Sequence, residues 1–433
     1  MNYYTLPKHT FKSNINLQFK NQHIKPYISY SLIYYLNNIY NQLQNIEDKL
    51  NVNVNDFETN KTKTNNTLIE YINRIVNPFE FIHTNVPGSL LSVSKVKPDA
   101  NIFFELLELF QLFNINDMLS QKNNLNIAHL TPNFKSTNYL LNMIREDKED
   151  FIFCQDFDYN KLCDVFIKNN FEKKLDLLIC EFQDNCYNDN NNYIRNIFLI
   201  FTLIVKYQSN EGILIIKIDN IFYKSIIDIL FMFSSLYEKV YLVKPVISNI
   251  TKGERYIVCK NFNSTISNTR DLLQQVNEKI VIRLCDNLIK FNYIETILTN
   301  DIPYYFLNKL EESNAVIGQQ QLEAYSQIIN IYKNKNRDEK IETLKRLHIQ
   351  RCIQWCEKNQ LPHNKFIEKV NMFLTTKNRE INICNQEQDQ EQDQEQEQEQ
   401  EQEQEQEQEQ EQEQEQDQEQ YQEQDQDQEQ EQD

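Results

Sequence analysis

The sequence predicts a doubly wound α/β fold, with a mostly parallel sheet, an antiparallel last strand and helical additions at both ends. Two observations predict it. Between residues 96 and 262, helical apolar patterns alternate with short β-rich runs, which implies crossover units around a sheet covered on both faces. The last two β runs are separated only by residues 244–254, too few for a helical crossover, so they should pair antiparallel.

The elements follow in order. Ile33, Leu36, Ile39, Tyr40, Leu43 and Ile46 recur at helical spacing across residues 30–50, before an Asn- and Thr-rich stretch that reads as a loop. A second helix, 68–75, should stop at Asn77-Pro78, because the residue before a proline is pushed out of the helical region. Helices are expected at 102–113, 138–145, 193–207 and 222–236, and strands at 125–130, 151–154, 175–180, 213–218, 240–243 and 256–259. After Phe262 the pattern is helical throughout, with candidates at 269–288, 304–312, 318–333, 339–359 and 365–374. The division expected is a helical N-terminal extension (1–76), a main domain (77–265), a helical C-terminal region (266–380) and a Glu/Gln-rich low-complexity tail (381–433).

The net charge of −20 belongs to the tail. Setting aside the 23 acidic residues after Asn385 leaves 41 acidic against 44 basic, so the body is close to neutral. An acid at almost every second position repels itself in any compact form, so the tail should stay disordered. Abundant Asn, Ile, Lys, Tyr and Phe with few Gly and Ala fit codon choice in an AT-rich genome. The amino terminus lacks a signal-peptide core, and the longest apolar runs are too short to span a bilayer, so a soluble, cytoplasmic protein with no membrane partner is expected. Nine cysteines without a CxxC pair point to reduced, buried thiols.

Chemistry concentrates between Gly212 and Phe262. Lys217 closes the run GILIIKI and Glu254 opens the reversed strand, so both should reach the carboxyl edge of the sheet, where open α/β sheets bind ligands. On spacing alone this pair reads as an ordinary strand-end ion pair rather than a catalytic one. His348, Cys352 and Cys356 fall on one helical face with His363 beyond it; a packed apolar face explains them better than a metal site, and no metal is expected.

The ordered series LDLLICEFQD, GILIIKI and KVYLVKPVISNITKGERYIVCKNF resembles the FtsJ-like RNA 2'-O-methyltransferase family, in the divergent form of large DNA viruses, over roughly residues 77–262. The resemblance implies a Rossmann-like methyltransferase sheet, S-adenosylmethionine as cofactor, and a Lys-Asp-Lys-Glu tetrad around a ribose 2'-hydroxyl. Lys217 then stands on the base, Glu254 on the glutamate and Glu181 on the aspartate. Glu105, in IFFELLEL, falls where the family has its first lysine, with Lys95 or Lys97 as nearby cations. The loop HLTPNF lies where the family carries an acid, a proline, two glycines and a phenylalanine. His129, Pro132 and Asn133 would thus line the cofactor, with Asp156 or Asp158 on its ribose. RNA, including capped messenger RNA, is the implied partner, touched by Lys244, Lys252, Arg255 and Lys260, with a protein partner subunit also open. A viral origin implies the host cytoplasm or the virion. The alternative is a catalytically degenerate methyltransferase-fold protein serving as an RNA-binding or scaffolding module.

Overall fold

The computed structural model describes residues 3–10, 13–20, 23–52, 71–145, 148–155, 162, 173–182, 190–263, 267–275, 293–334, 336–364 and 366. The Glu/Gln tail, the 365–374 helix candidate and most of the 269–288 candidate lie outside them.

In chain order the elements are β1 (Tyr3–Leu6), β2 (Ile15–Lys20), α1 (Tyr30–Val52), α2 (Ile102–Leu112), α3 (Ile115–Ser120), β3 (Asn126–Leu130), α4 (Phe134–Ile144), β4 (Phe151–Gln155), β5 (Leu175–Cys180), α5 (Asn190–Tyr207), β6 (Gln208–Ile218), α6 (Lys224–Leu236), β7 (Tyr237–Val243), β8 (Arg255–Phe262), α7 (Ser267–Gln275), β9 (Tyr293–Leu298), α8 (Tyr304–Lys333) and α9 (Arg337–Lys358). Seven strands form one sheet in the order β1-β7-β8-β6-β5-β3-β4. The pairs β3/β4, β3/β5 and β5/β6 are parallel. Strand β8 is antiparallel to both β6 and β7, as the short link between β7 and β8 requires. This is the expected doubly wound α/β architecture, with the last strand of the sheet inserted in reverse between its two predecessors.

The core explains the arrangement. Strand β5 is buried at five of six positions, and every residue of α6 from Ser225 to Leu236 is buried, so both need cover on more than one side. For α6 part of that cover comes from the chain ends. The ribbon β2/β9 lies against it, and buried Asp228 accepts hydrogen bonds from the Ile297 and Leu298 amides at 2.8 and 3.1 Å. The His9 ring stacks on Phe231 at 3.6 Å and its Nε2 meets the Phe231 carbonyl at 2.6 Å.

Three expectations need correction. The N-terminal extension carries helix α1 but also two strands, and β1 extends the central sheet by pairing with β7. The region after Phe262 is not helical throughout: Tyr293–Leu298 is a strand because it has β2 to pair with, a partner about 275 residues away that local periodicity cannot reveal. The candidates at 304–312 and 318–333 are one helix, α8, because Ser313, Asn314 and Ile317 between them are buried rather than turned out as a loop. The other helix and strand expectations on described residues hold to within about five residues, β6 and α4 starting earliest.

Candidate active site

Four side chains from four elements meet at the carboxyl edge of the sheet. Lys217 is the penultimate residue of β6, Glu181 follows β5, and Glu254 precedes β8, whose reversed direction brings its start to that same edge. Glu105 comes from the first turn of α2, where the helix dipole favours a carboxylate. Lys217 Nζ lies 3.0 Å from Glu105 Oε2, 3.2 Å from Glu254 Oε2 and 3.4 Å from Glu181 Oε1. The structure thus brings together Lys217, Glu181 and Glu254, the three side chains expected to share a site, and adds Glu105 to them.

Glu105 is the most deeply held. It also accepts hydrogen bonds from Tyr256 Oη at 2.5 Å and Ser248 Oγ at 2.7 Å. Burial works against its charge, but Lys217 and these donors outweigh burial and hold its pKa below the ordinary value. Burial likewise opposes the charge of Glu254, and Lys217 and Lys252 override it, so its pKa is also lowered. For Lys217, burial disfavours the ammonium while Glu105, Tyr256, Glu254 and Glu181 favour it, and the outcome is a pKa well above that of free lysine. Lys217 is therefore an ammonium at neutral pH: a hydrogen-bond donor, with no lone pair to take a proton.

The HLTPNF segment serves the same cluster. Thr131 Oγ1 and Asn133 Nδ2 both donate to Glu181 Oε2, at 2.8 and 3.0 Å, and the Asn133 amide is bonded to Thr131 Oγ1. Asn133 keeps φ at −103°, so the turn into α4 is made without a left-handed residue. His129 is fully buried in β3; its Nδ1 meets Thr137 Oγ1 at 2.7 Å, and burial lowers its pKa to about 4, leaving it neutral. Asp156 and Asp158 lie outside the described residues.

The other candidate cations divide. Arg255 is buried: its Nε donates to the Gly253 carbonyl and its Nη1 to Asn314 Oδ1 on α8 at 2.7 Å, so it braces the Glu254 loop and is not available to RNA. Asn314 in turn donates to Ser29 Oγ ahead of α1, and Gln321 Nε2 donates to the Thr251 carbonyl. Helix α8 and the segment ahead of α1 therefore brace the loop that carries Glu254. Lys260 sits near the far end of β8 and donates to the Phe113 carbonyl, so it too is away from the edge. Lys244 is buried at that edge and bonded to the Lys252 carbonyl; burial and nearby Arg255 lower its pKa to about 7. Lys97 is bonded to Ser92 Oγ, and Lys95 is exposed. In α9, His348, Cys352 and Cys356 are buried; burial lowers His348 to about 4 and raises both thiols, and Cys352 Sγ donates to the Pro78 carbonyl.

Sequence reasoning missed Tyr256, Ser248 and Thr131. Tyr256 had a usable signal: two places after Glu254 in an extended segment, it shares a face with it and, in register, stands opposite Lys217.

No protein-family profile and no curated protein matches the chain. Among solved structures, a candidate ribosomal RNA methyltransferase from Plasmodium falciparum shares 16% identity over 38% of this chain and 97% of its own, with a TM-score of 0.30. A candidate spermidine synthase from Corynebacterium glutamicum shares 10% identity over 54% of this chain and 85% of its own, with a TM-score of 0.26. At these values neither bears on the chemistry of the site.

Proposed function

We propose that this chain is a catalytically degenerate member of the FtsJ-like RNA 2'-O-methyltransferase lineage that acts as an RNA-binding module. The observation that carries this reading is Lys217 Nζ within 3.4 Å of three carboxylates. The tetrad such an enzyme needs carries two cations, and Glu105, standing where the first lysine would be, is acidic, buried and hydrogen-bonded. With its lone pair committed to a proton, Lys217 does not serve as a base; it ties α2, β5, β6 and β8 together.

The residues present do not fit S-adenosylmethionine in the manner of the family. Two glycines let backbone amides approach that cofactor; here Pro132 has no N–H, the Asn133 N–H is bonded to Thr131, and the Asn133 side chain covers Glu181. Calorimetry with S-adenosylmethionine tests the point, and absence of binding by the full chain is the expected result.

A second reading, an S-adenosylmethionine-dependent RNA 2'-O-methyltransferase acting on capped messenger RNA, is favoured by the convergence of Lys217, Glu181 and Glu254 with 10–13% of each side chain still exposed. In that reading Lys217 orients the ribose hydroxyl as a donor and a carboxylate takes its proton. Methyl transfer to capped RNA that is lost in Lys217→Ala would establish it.

A further inference from the structure

Helix α9 presents Arg351, Gln354, Trp355 and Lys358 at spacings of 0, 3, 4 and 7, a single stripe. The stripe walls a cavity of about 610 Å³ closed on the other side by Phe79, Glu108 and Val246. Phe79 and Val246 also line a second cavity, of about 330 Å³, whose wall includes Lys244 and Ser248. The two adjoin along the loop after β7, and Ser248 of that loop donates to Glu105 of the four-residue cluster.

Composition decides what such a trough accepts. Arg351 and Lys358 are exposed cations on its rim, and the only basic group of the second cavity, Lys244, has no carboxylate within ion-pair distance among the described residues. Half-buried Phe79 supplies aromatic surface, and Trp355, 6% exposed, lines the cavity beside it. Glu108 accepts from the Val246 and Ile247 amides and burial raises its pKa to about 6, and Gln354 lines the same cavity as an amide donor and acceptor. Cations on a rim, rings on a wall and a few amide and carboxylate groups below suit a chain of linked phosphates and bases. Neither a duplex, whose bases are stacked inside, nor an apolar helix matches that order of groups.

Resting on the RNA-binding reading above, we infer that this trough is the binding path for single-stranded RNA, with Arg351 and Lys358 on phosphates and a base against Phe79 near Trp355. The helical C-terminal region then supplies RNA contacts to a methyltransferase-type fold.

Trp355 is the only tryptophan in the chain, so its emission reports on this site alone. A fluorescein-labelled single-stranded RNA dodecamer should bind the full chain and change the tryptophan emission, whereas heparin, a polyanion without bases, should leave the emission unchanged. The variant R351Q/K358Q, altered only at exposed positions and checked by its melting curve, should bind the dodecamer at least about tenfold more weakly. The slope of log K against log salt should flatten by about 1.4, as expected for two lost phosphate contacts on a single strand. Wild-type affinity and slope in that variant, no emission change at saturating RNA, an equal response to heparin, or no RNA binding at all would each overturn the inference. The outcome is separable from the question of activity. Methyl transfer by a chain whose RNA binding ignores R351Q/K358Q sinks the trough and the degenerate reading, whereas RNA binding through the trough without methyl transfer sustains both.

Discussion

Glu105 Oε2 stands 3.0 Å from Lys217 Nζ and 2.5 Å from Tyr256 Oη, so one oxygen of an acid joins a buried cation and a buried phenol. Removing that charge leaves Lys217 with two carboxylates. Glu105→Gln should destabilise the fold by about 2–3 kcal/mol, slightly below the cost of breaking an isolated buried ion pair. Urea unfolding at neutral pH checks this; an unchanged midpoint would show the contact to be energetically idle.

The same variant isolates a pH dependence. Glu105 has a folded pKa below its ordinary value of 4.5, so its stabilisation is present above that value and fades as pH falls through the folded pKa. The stability gap between wild type and Glu105→Gln should therefore be constant near neutrality and shrink below about pH 4.5. Lys217, with a raised pKa, keeps its contribution until strongly alkaline pH. A gap that widens on acidification would reverse the assigned sign.

Asp228 holds β9 on α6 by accepting two buried amide hydrogen bonds. Asp228→Ala should cost about 2–4 kcal/mol, since two buried donors and the Lys224 ammonium lose their acceptor. Hydrogen exchange should quicken at the Ile297 and Leu298 amides first. Uniform protection in the variant would mean the ribbon is held by apolar contact alone.

Asn314 positions the loop that carries Glu254. Asn314→Ala leaves the buried Arg255 guanidinium short of an acceptor and should cost about 1–3 kcal/mol. Exchange should quicken across residues 249–256 more than across β5. Equal effects in both would make Asn314 a general core residue rather than a brace.

Legibility in the sequence followed the range of the interactions. Strands such as β5 and the β7–β8 turn were readable because apolar runs and connection length are local signals. The Lys217–Glu254 meeting was readable because reversing β8 brings a strand start to the edge where β6 ends. Strands β1 and β9 were not, since each exists through a partner more than 200 residues away. The bonds of Thr131 and Asn133 to Glu181 were hidden because the resemblance puts HLTPNF in a ligand loop, whereas the turn after β3 aims both side chains at a carboxylate 48–50 residues away.

On the proposed reading, the HLTPNF segment is turned onto Glu181 instead of a cofactor, and Lys217 is locked as a donor among three carboxylates. Calorimetric titration of S-adenosylmethionine into the full chain tests it most directly. No saturable binding up to about 1 mM, an affinity below roughly −4 kcal/mol in strength, is the predicted result. Micromolar binding that disappears in Asn133→Asp would contradict it and restore the enzyme reading.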